Sequence, residues 1–230
     1  MVQLKKIGAG CYRAFLQNGK ASMFSRYGIL KESLSKDYAD CLAESNEKGV
    51  LLHGVKRDVS VFVEQFGDKG FQLKIPLTKD ERLFGLGDAN RDSVMIRGKT
   101  LNVWVANVAS YGPMPVLLSA DGWAIIVNST YYQKFDIADS DKDTVIISVA
   151  GGTADFYLFT ANSLMELTQA ITDITGKPIM LPAFGYGLTF VENYKTTDAR
   201  RLLELKIRNR IQPYPRNTAT IRNFMARCPY

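Results

Sequence analysis

Between residues 12 and 159 the chain passes through a long succession of short alternating apolar and polar runs separated by turn residues, which leaves few folds open. The runs 12–17, 21–24, 50–53, 59–65, 71–76, 100–105, 114–119, 123–127, 131–137, 144–149 and 154–159 each read as a strand. Asn18-Gly19 lies between the first two and is the strongest short-range hairpin signal. Ten or more strands in a row, joined by Gly-containing links, predict a mainly β chain built as an antiparallel β-sandwich rather than a βαβ fold.

The period then changes. Asn162-Ser163 followed by Leu164, Leu167, Ile171 and Ile174 predicts a capped amphipathic helix over 163–175, ended by Gly176 and Pro178. A linker over 176–182 leads to 183–191, an apolar run with the density of a buried strand. A second helix follows from Thr196 or Thr197 to Glu204. A lone strand and helix cannot bury both faces of the strand, so this unit reads as the first step of a larger α/β domain. The expected organisation is a sandwich over 1–161, a helix and linker over 162–182, a first βα unit over 183–204 and a basic tail over 205–230.

Charge separates the tail from the rest. The chain has 29 basic and 23 acidic residues, and six of the basic ones (Lys206, Arg208, Arg210, Arg216, Arg222, Arg227) lie after Glu204 with no acidic residue among them. Residues 1–204 therefore hold 23 basic against 23 acidic residues. A balanced body argues against nucleic acid as its partner. One histidine excludes a His-rich metal site, so acid–base chemistry here has to use carboxylates, Tyr, Lys or Cys. With no apolar run of about 18 residues to span a bilayer and no signal-peptide core, the expected compartment is the cytosol, with no membrane partner. Reduced Cys11, Cys41 and Cys228 fit that compartment as small buried hydrophobes.

Three local motifs have bland readings. Ile7-Gly8-Ala9-Gly10 resembles the start of a dinucleotide fingerprint but lacks the third glycine and the following helix, so it reads as a turn. Asp139, Asp141 and Asp143 alternate like half an EF-hand loop, but Thr144 stands where the turn glycine belongs and Ala150 where the bidentate Glu belongs; a solvated hairpin loop is expected. His53 lies in a strand without identifiable triad partners. No metal site and no cofactor are expected. Trp104 and Tyr111, with amide and hydroxyl side chains nearby, have the composition of a sugar-binding surface: flat rings for CH faces and fixed polar groups for hydroxyls.

Phe84-Gly85-Leu86-Gly87-Asp88, Arg97-Gly98-Lys99, Trp104, the runs 115–119 and 122–128, Asp155-Phe156-Tyr157-Leu158-Phe159, Thr175-Gly176-Lys177-Pro178, Leu181-Pro182 and Phe184-Gly185-Tyr186-Gly187-Leu188 occur in that order. Together they resemble glycoside hydrolase family 31, the α-glucosidase and α-xylosidase family, over about residues 60–204. The resemblance implies a galactose-mutarotase-like β-sandwich followed by the start of a catalytic (β/α)₈ barrel, with 183–191 as barrel strand one. It also implies a carbohydrate partner, an α-glycoside, and a retaining mechanism in which two carboxyl groups about 5–5.5 Å apart act as nucleophile and acid/base. In that family both are aspartates on later barrel strands, so no residue here inherits a catalytic role.

The substrate-proximal candidates that follow are Trp104, Asn107, Ser110 and Tyr111 in the sandwich, and Phe190, Glu192 and Asn193 at the C-terminal end of barrel strand one. Val105-Ala106-Asn107 stands where relatives often carry Asn-Thr-Asp, so the usual substrate does not carry over. After Glu204 the family's next barrel strand is not recognisable; a frameshift or interrupted gene is the expected cause, and the 230-residue chain is expected to be inactive alone. Two other readings stay open: a non-catalytic carbohydrate-binding sandwich, and nucleic-acid binding through the basic tail.

Overall fold

A computed structural model describes residues 2–16, 30–90, 92–104 and 112–177. The chain divides into two compact units, Met1–Lys177 and Pro178–Tyr230, and the described residues all lie in the first. Among the described residues thirteen strands precede one α-helix: β1 (Val2–Gly8), β2 (Cys11–Leu16), β3 (Ala43–Asn46), β4 (Gly49–His53), β5 (Asp58–Gln65), β6 (Phe71–Pro76), β7 (Leu83–Gly87), β8 (Lys99–Val103), β9 (Pro113–Ser119), β10 (Trp123–Val127), β11 (Gln133–Ile137), β12 (Thr144–Val149), β13 (Asp155–Thr160) and α1 (Leu164–Thr175).

The strands form two antiparallel sheets, one of six in the order β1-β2-β13-β10-β9-β7 and one of seven in the order β3-β4-β5-β6-β12-β11-β8. The main core fills the space between them. Trp123, Ile125, Leu117, Phe156 and Leu158 from the first sheet meet Phe71, Leu73, Ile75, Phe135, Val145 and Ile147 from the second. Each side chain buried in this way contributes about 1.5–3 kcal/mol. The expected antiparallel β-sandwich is the fold observed.

A second core explains why some strands alternate and others do not. On the outer face of the six-stranded sheet, Cys11, Ala124, Ile126, Tyr157 and Phe159 pack against Leu167, Ala170, Ile171 and Ile174 of α1, with Leu30 and Tyr38 beside them. β10 and β13 are therefore buried on both faces, and their sequences WAIIV and DFYLFT are apolar almost throughout. β6 and β11 belong to the sheet whose outer face meets solvent, and FQLKIP and QKFDI alternate. The helix begins where expected: Ser163 Oγ accepts from the Glu166 N–H at 3.2 Å, while the Glu166 carboxylate accepts from the Asn162 N–H at 3.1 Å. It ends at Gly176, whose N–H reaches the Thr172 carbonyl at 2.9 Å.

Four local features depart from the sequence reading. β1, β3 and β7 are strands that it did not include. β3 is a short polar edge strand, AESN, with no apolar alternation to reveal it, and β7 is interrupted by three consecutive positive φ angles. β2 pairs with β1 on one side and β13 on the other, so both its edges are taken and the hairpin expected between 12–17 and 21–24 is not its pairing. The turn after β1 is instead made by Ala9-Gly10, with Gly10 at φ +90°. Asn18-Gly19 and residues 21–24, like 183–204 and the basic tail, lie outside the described residues. Among the described residues no helix is long and apolar enough to cross a membrane.

Candidate functional site

The FGLGD motif lies on β7, the edge of the six-stranded sheet, and its backbone explains its residues. Gly85, Leu86 and Gly87 have φ of +119°, +61° and +55°. A Cβ on Gly85 would sit 2.2 Å from the Val116 carbonyl oxygen, and one on Gly87 would sit 2.5 Å from that of Gly112. Only glycine fits either place. Leu86 holds a left-handed conformation that costs about 1–2 kcal/mol, but its side chain is fully buried between the sheets, and that burial offsets the cost. The ladder with β9 shifts register between Gly85 and Gly87.

The shift turns Asp88 toward the start of β9. The Asp88 N–H donates to the Gly112 carbonyl at 3.1 Å, and the Gly112 N–H donates to the Asp88 carboxylate at 3.3 Å. This reciprocal clamp fixes Gly112 at the entry to β9, while Trp104 follows β8. Beside the clamp, Phe84, Gly85, Gly87, Asn90, Asp92, Ser93 and Val94 line an open depression of about 420 Å³.

At the opposite end of the β7–β9 ladder from the clamp, where Leu83 pairs with Ser119, lies a buried carboxylate. Glu81 accepts from Arg57 Nη2 at 3.0 and 2.8 Å, from the Thr78 N–H at 2.9 Å, and from the Ser119 hydroxyl and the Trp123 indole N–H. Burial alone raises a carboxyl pKa, but the hydrogen bonds from Ser119, Thr78 and Arg57, together with the Arg57 charge, outweigh it and hold Glu81 below the usual carboxylate range. Glu81 is thus an ionised structural anchor, not a poised acid. Arg97 ties the same connector to the β11–β12 hairpin through the carbonyls of Thr78, Glu81 and Lys142 at 2.8, 3.1 and 2.8 Å. Lys99 Nζ reaches Asn90 at 2.9 Å, so the Arg97-Gly98-Lys99 motif also serves to shape this corner.

Of the substrate-proximal candidates, Trp104 is described, and Asn107, Ser110, Tyr111, Phe190, Glu192 and Asn193 lie outside the described residues. Trp104 is 44% exposed, and its ring centre lies 6.3 Å from that of Tyr132, at an interplanar angle of 58°. Tyr132 was not among the candidates. Its signal was the alternation of 131–137, which sends Tyr132, Lys134 and Asp136 to one face, but only strand pairing brings it to Trp104. The last ladder pair between β11 and β8 is Gln133 with Val103, so the next residues in each direction, Tyr132 and Trp104, stand opposite one another on the outer face.

The remaining motifs singled out in the sequence lie on strands, turns and hairpin loops of the sandwich. The 138–143 segment is a hairpin loop tied by Asp136, which accepts from the N–H groups of Asp139 and Ser140 at 3.0 and 3.2 Å. Among the described residues no cluster of three or more His, Cys, Asp or Glu is arranged for a metal ion. His53 faces Asp58 across β4 and β5 at 3.2 Å, on the surface. Cys11 and Cys41 are buried free thiols, and burial pushes both thiol pKa values up, which makes them poor nucleophiles.

No family model matches the chain. It is 26% identical over 139 residues to an α-xylosidase of Emericella nidulans, a match covering 58% of this chain and 18% of that protein. It is 32% identical over 124 residues to an isomaltosyltransferase of Sporosarcina globispora, covering 49% of this chain and 11% of that protein. The Flavobacterium johnsoniae family 31 dextranase, solved in complex with glucose, superposes with a TM-score of 0.65 at 17% identity, over 91% of this chain and 30% of the dextranase. The chain thus spans less than a fifth of the length of these two curated relatives.

Fold and relatives together define the class as an antiparallel β-sandwich similar to a part of proteins named as α-xylosidase, isomaltosyltransferase and dextranase. Its homologues are glycoside hydrolase family 31 enzymes, of which this chain matches a part.

Proposed function

We propose that the chain is the N-terminal part of a retaining α-glycosidase of the family 31 kind, a hydrolase of O-glycosyl bonds in carbohydrate metabolism. Residues 1–161 would be its sandwich, 162–182 a helix and linker, 183–204 the first βα unit of a (β/α)₈ barrel, and 205–230 a segment outside the family fold. The partner is an α-glycoside, no cofactor or membrane is required, and the compartment is cytoplasmic.

The observation that carries this reading is the clamp between Asp88 and Gly112. A fully buried left-handed leucine and two glycines with no room for a side chain are an expensive way to end an edge strand, and they make sense where the adjoining segment has to be presented at a fixed place. In this reading 105–111 approaches the sugar, with Trp104, Asn107, Ser110 and Tyr111 near it and Phe190, Glu192 and Asn193 facing it from the barrel. The nucleophile and the acid/base belong to barrel strands outside the matched portion.

The test is a chimera in which residues 1–177 replace the matching portion of the Emericella nidulans α-xylosidase. Turnover of an aryl α-xyloside supports the reading, and a folded chimera without turnover overturns it. DNA sequence downstream of codon 204 tests the assignment of the tail separately: a barrel strand restored in another frame is the expected result, and no such strand in any frame sinks it.

A further inference from the structure

The outer face of the seven-stranded sheet carries a feature that the enzyme reading uses only in part: that reading brings Trp104 near the sugar but assigns nothing to Tyr132 or to the polar row beside it. Trp104 and Tyr132 are 44% and 39% exposed, and they form a tilted pair at a separation within the about 4.5–7 Å range of interacting rings. Each stands one residue beyond a strand end, Trp104 after β8 and Tyr132 before β11. The Tyr132 carbonyl accepts from the Ala150 N–H at 2.9 Å, so the backbone pairing of β11 continues through it. Two rigid rings side by side in solvent are a preorganised contact surface that loses little rotamer entropy when covered.

The neighbouring outward row narrows down what covers them. Cross-strand register places Asn102 beside Lys134, Lys134 beside Ser148 and Ser148 beside Gln72, with Gln72 Nε2 donating to Ser148 Oγ at 3.1 Å. Strands lie about 4.8 Å apart, so this row runs alongside the rings for roughly 10–15 Å. It offers amide, hydroxyl and ammonium groups, and Glu64, opposite Gln72, ends it with a carboxylate, so its charges are one of each sign. A nucleic acid would call for several cations on its phosphates, and a protein hot spot for an apolar pocket at the centre. A neutral polyol needs ring faces for its C–H groups, which the negative π-face attracts, and a row of mixed donors and acceptors for its hydroxyls.

We propose that Trp104 and Tyr132 form a binding platform for pyranose units of a neutral α-linked oligosaccharide, with Asn102, Lys134 and Ser148 hydrogen-bonding its hydroxyls. Assignment of the sugar class rests on the glycosidase reading above; the platform itself rests on the ring pair and its polar row. It is a surface for holding the chain of a substrate and needs none of the catalytic carboxylates.

Isomaltotriose titrated into the full chain tests this, with tryptophan emission and calorimetry as readouts. Trp123 is fully buried, so an emission change reports Trp104. The expected result is a saturable blue shift insensitive to salt, with affinity reduced more than tenfold in Y132A and in W104A, kept in Y132F, and unchanged in F62A, which removes another exposed ring from a different part of the same face. All three side chains are partly exposed, so circular dichroism of the four variants should match wild type. Absence of a saturable response in the wild-type chain overturns the platform, as does calorimetric binding of wild-type strength in both W104A and Y132A. An active chimera combined with either result shows that the glycosidase reading stands and the platform alone has failed; an inactive folded chimera with sugar still lost in Y132A shows the reverse.

Discussion

The Arg57 guanidinium holds both oxygens of the fully buried Glu81 carboxylate through one nitrogen, at 3.0 and 2.8 Å. The pair joins the β4–β5 turn to the connector between β6 and β7, and Ser119 and Trp123 bring β9 and β10 to the same point. Removal of Arg57 leaves a buried charge unpaired, so Arg57→Ala should lower stability by about 3–5 kcal/mol in urea unfolding. A loss below about 1 kcal/mol would show that the carboxylate is served by its other donors.

The same pair sets an acid limit. Glu81 has a folded-state pKa held below its unfolded value, so its contribution is fully present above the ordinary carboxylate pKa of about 4.3 and disappears as pH falls through the lower folded value. Unfolding free energies measured from pH 7 down to pH 3 should drop more steeply for wild type than for Glu81→Gln below pH of about 4. Parallel curves would remove Glu81 as the source.

Two glycines with positive φ should respond differently to the same substitution. Gly98, at φ +82°, has no atom within 4 Å of where a Cβ would go, so Gly98→Ala costs the left-handed backbone alone, about 1–2 kcal/mol. Gly85→Ala adds a Cβ 2.2 Å from the Val116 carbonyl oxygen, and the edge strand has to move. Thermal unfolding should place Gly85→Ala well below Gly98→Ala, and equal melting temperatures would mean that β7 yields freely.

Arg13 forms a two-point pair with the buried Asp155, Nε at 2.9 Å and Nη2 at 2.7 Å, and lies 5.5 Å from the ring centres of both Phe15 and Tyr157. Lysine keeps the charge but neither the fork nor the planar contact. Arg13→Lys should therefore lose a large share of the about 3–5 kcal/mol lost in Arg13→Ala, as read by urea unfolding. Wild-type stability in the lysine variant would show that charge alone suffices.

The proposed division of labour also predicts that the 230-residue chain, purified from a host without α-glycosidases, turns over neither aryl α-glucosides nor aryl α-xylosides. Steady release of the aryl group by the pure chain would disprove it. If the basic tail binds nucleic acid, affinity should fall steeply with salt and vanish without residues 205–230; binding that survives that deletion would assign it to the balanced body instead.

Much of this was legible before the fold was known. Alternation identified β6, β11 and β12 because one face of their sheet is wet, and the unbroken apolar runs of β10 and β13 marked strands covered on both sides. The cap at Ser163 and the stop at Gly176 are local chemistry and were readable as such. β3 escaped because a polar edge strand has no buried face to declare it, and β7 because its information lies in backbone angles rather than in side-chain pattern.

By itself, then, the order of residues determined the class of fold, the capped helix, the separation of a balanced body from a basic tail, and the motif series shared with family 31. These depend on periodicity, local hydrogen bonding and composition, all properties of neighbours in the chain. Only the tertiary structure decided that Asp88 meets Gly112, that Glu81 is neutralised by Arg57, and that Tyr132 stands opposite Trp104. Those pairs are about 24 to 28 residues apart in sequence, and what brings them together is sheet register, which is set by how two whole faces pack rather than by any short stretch.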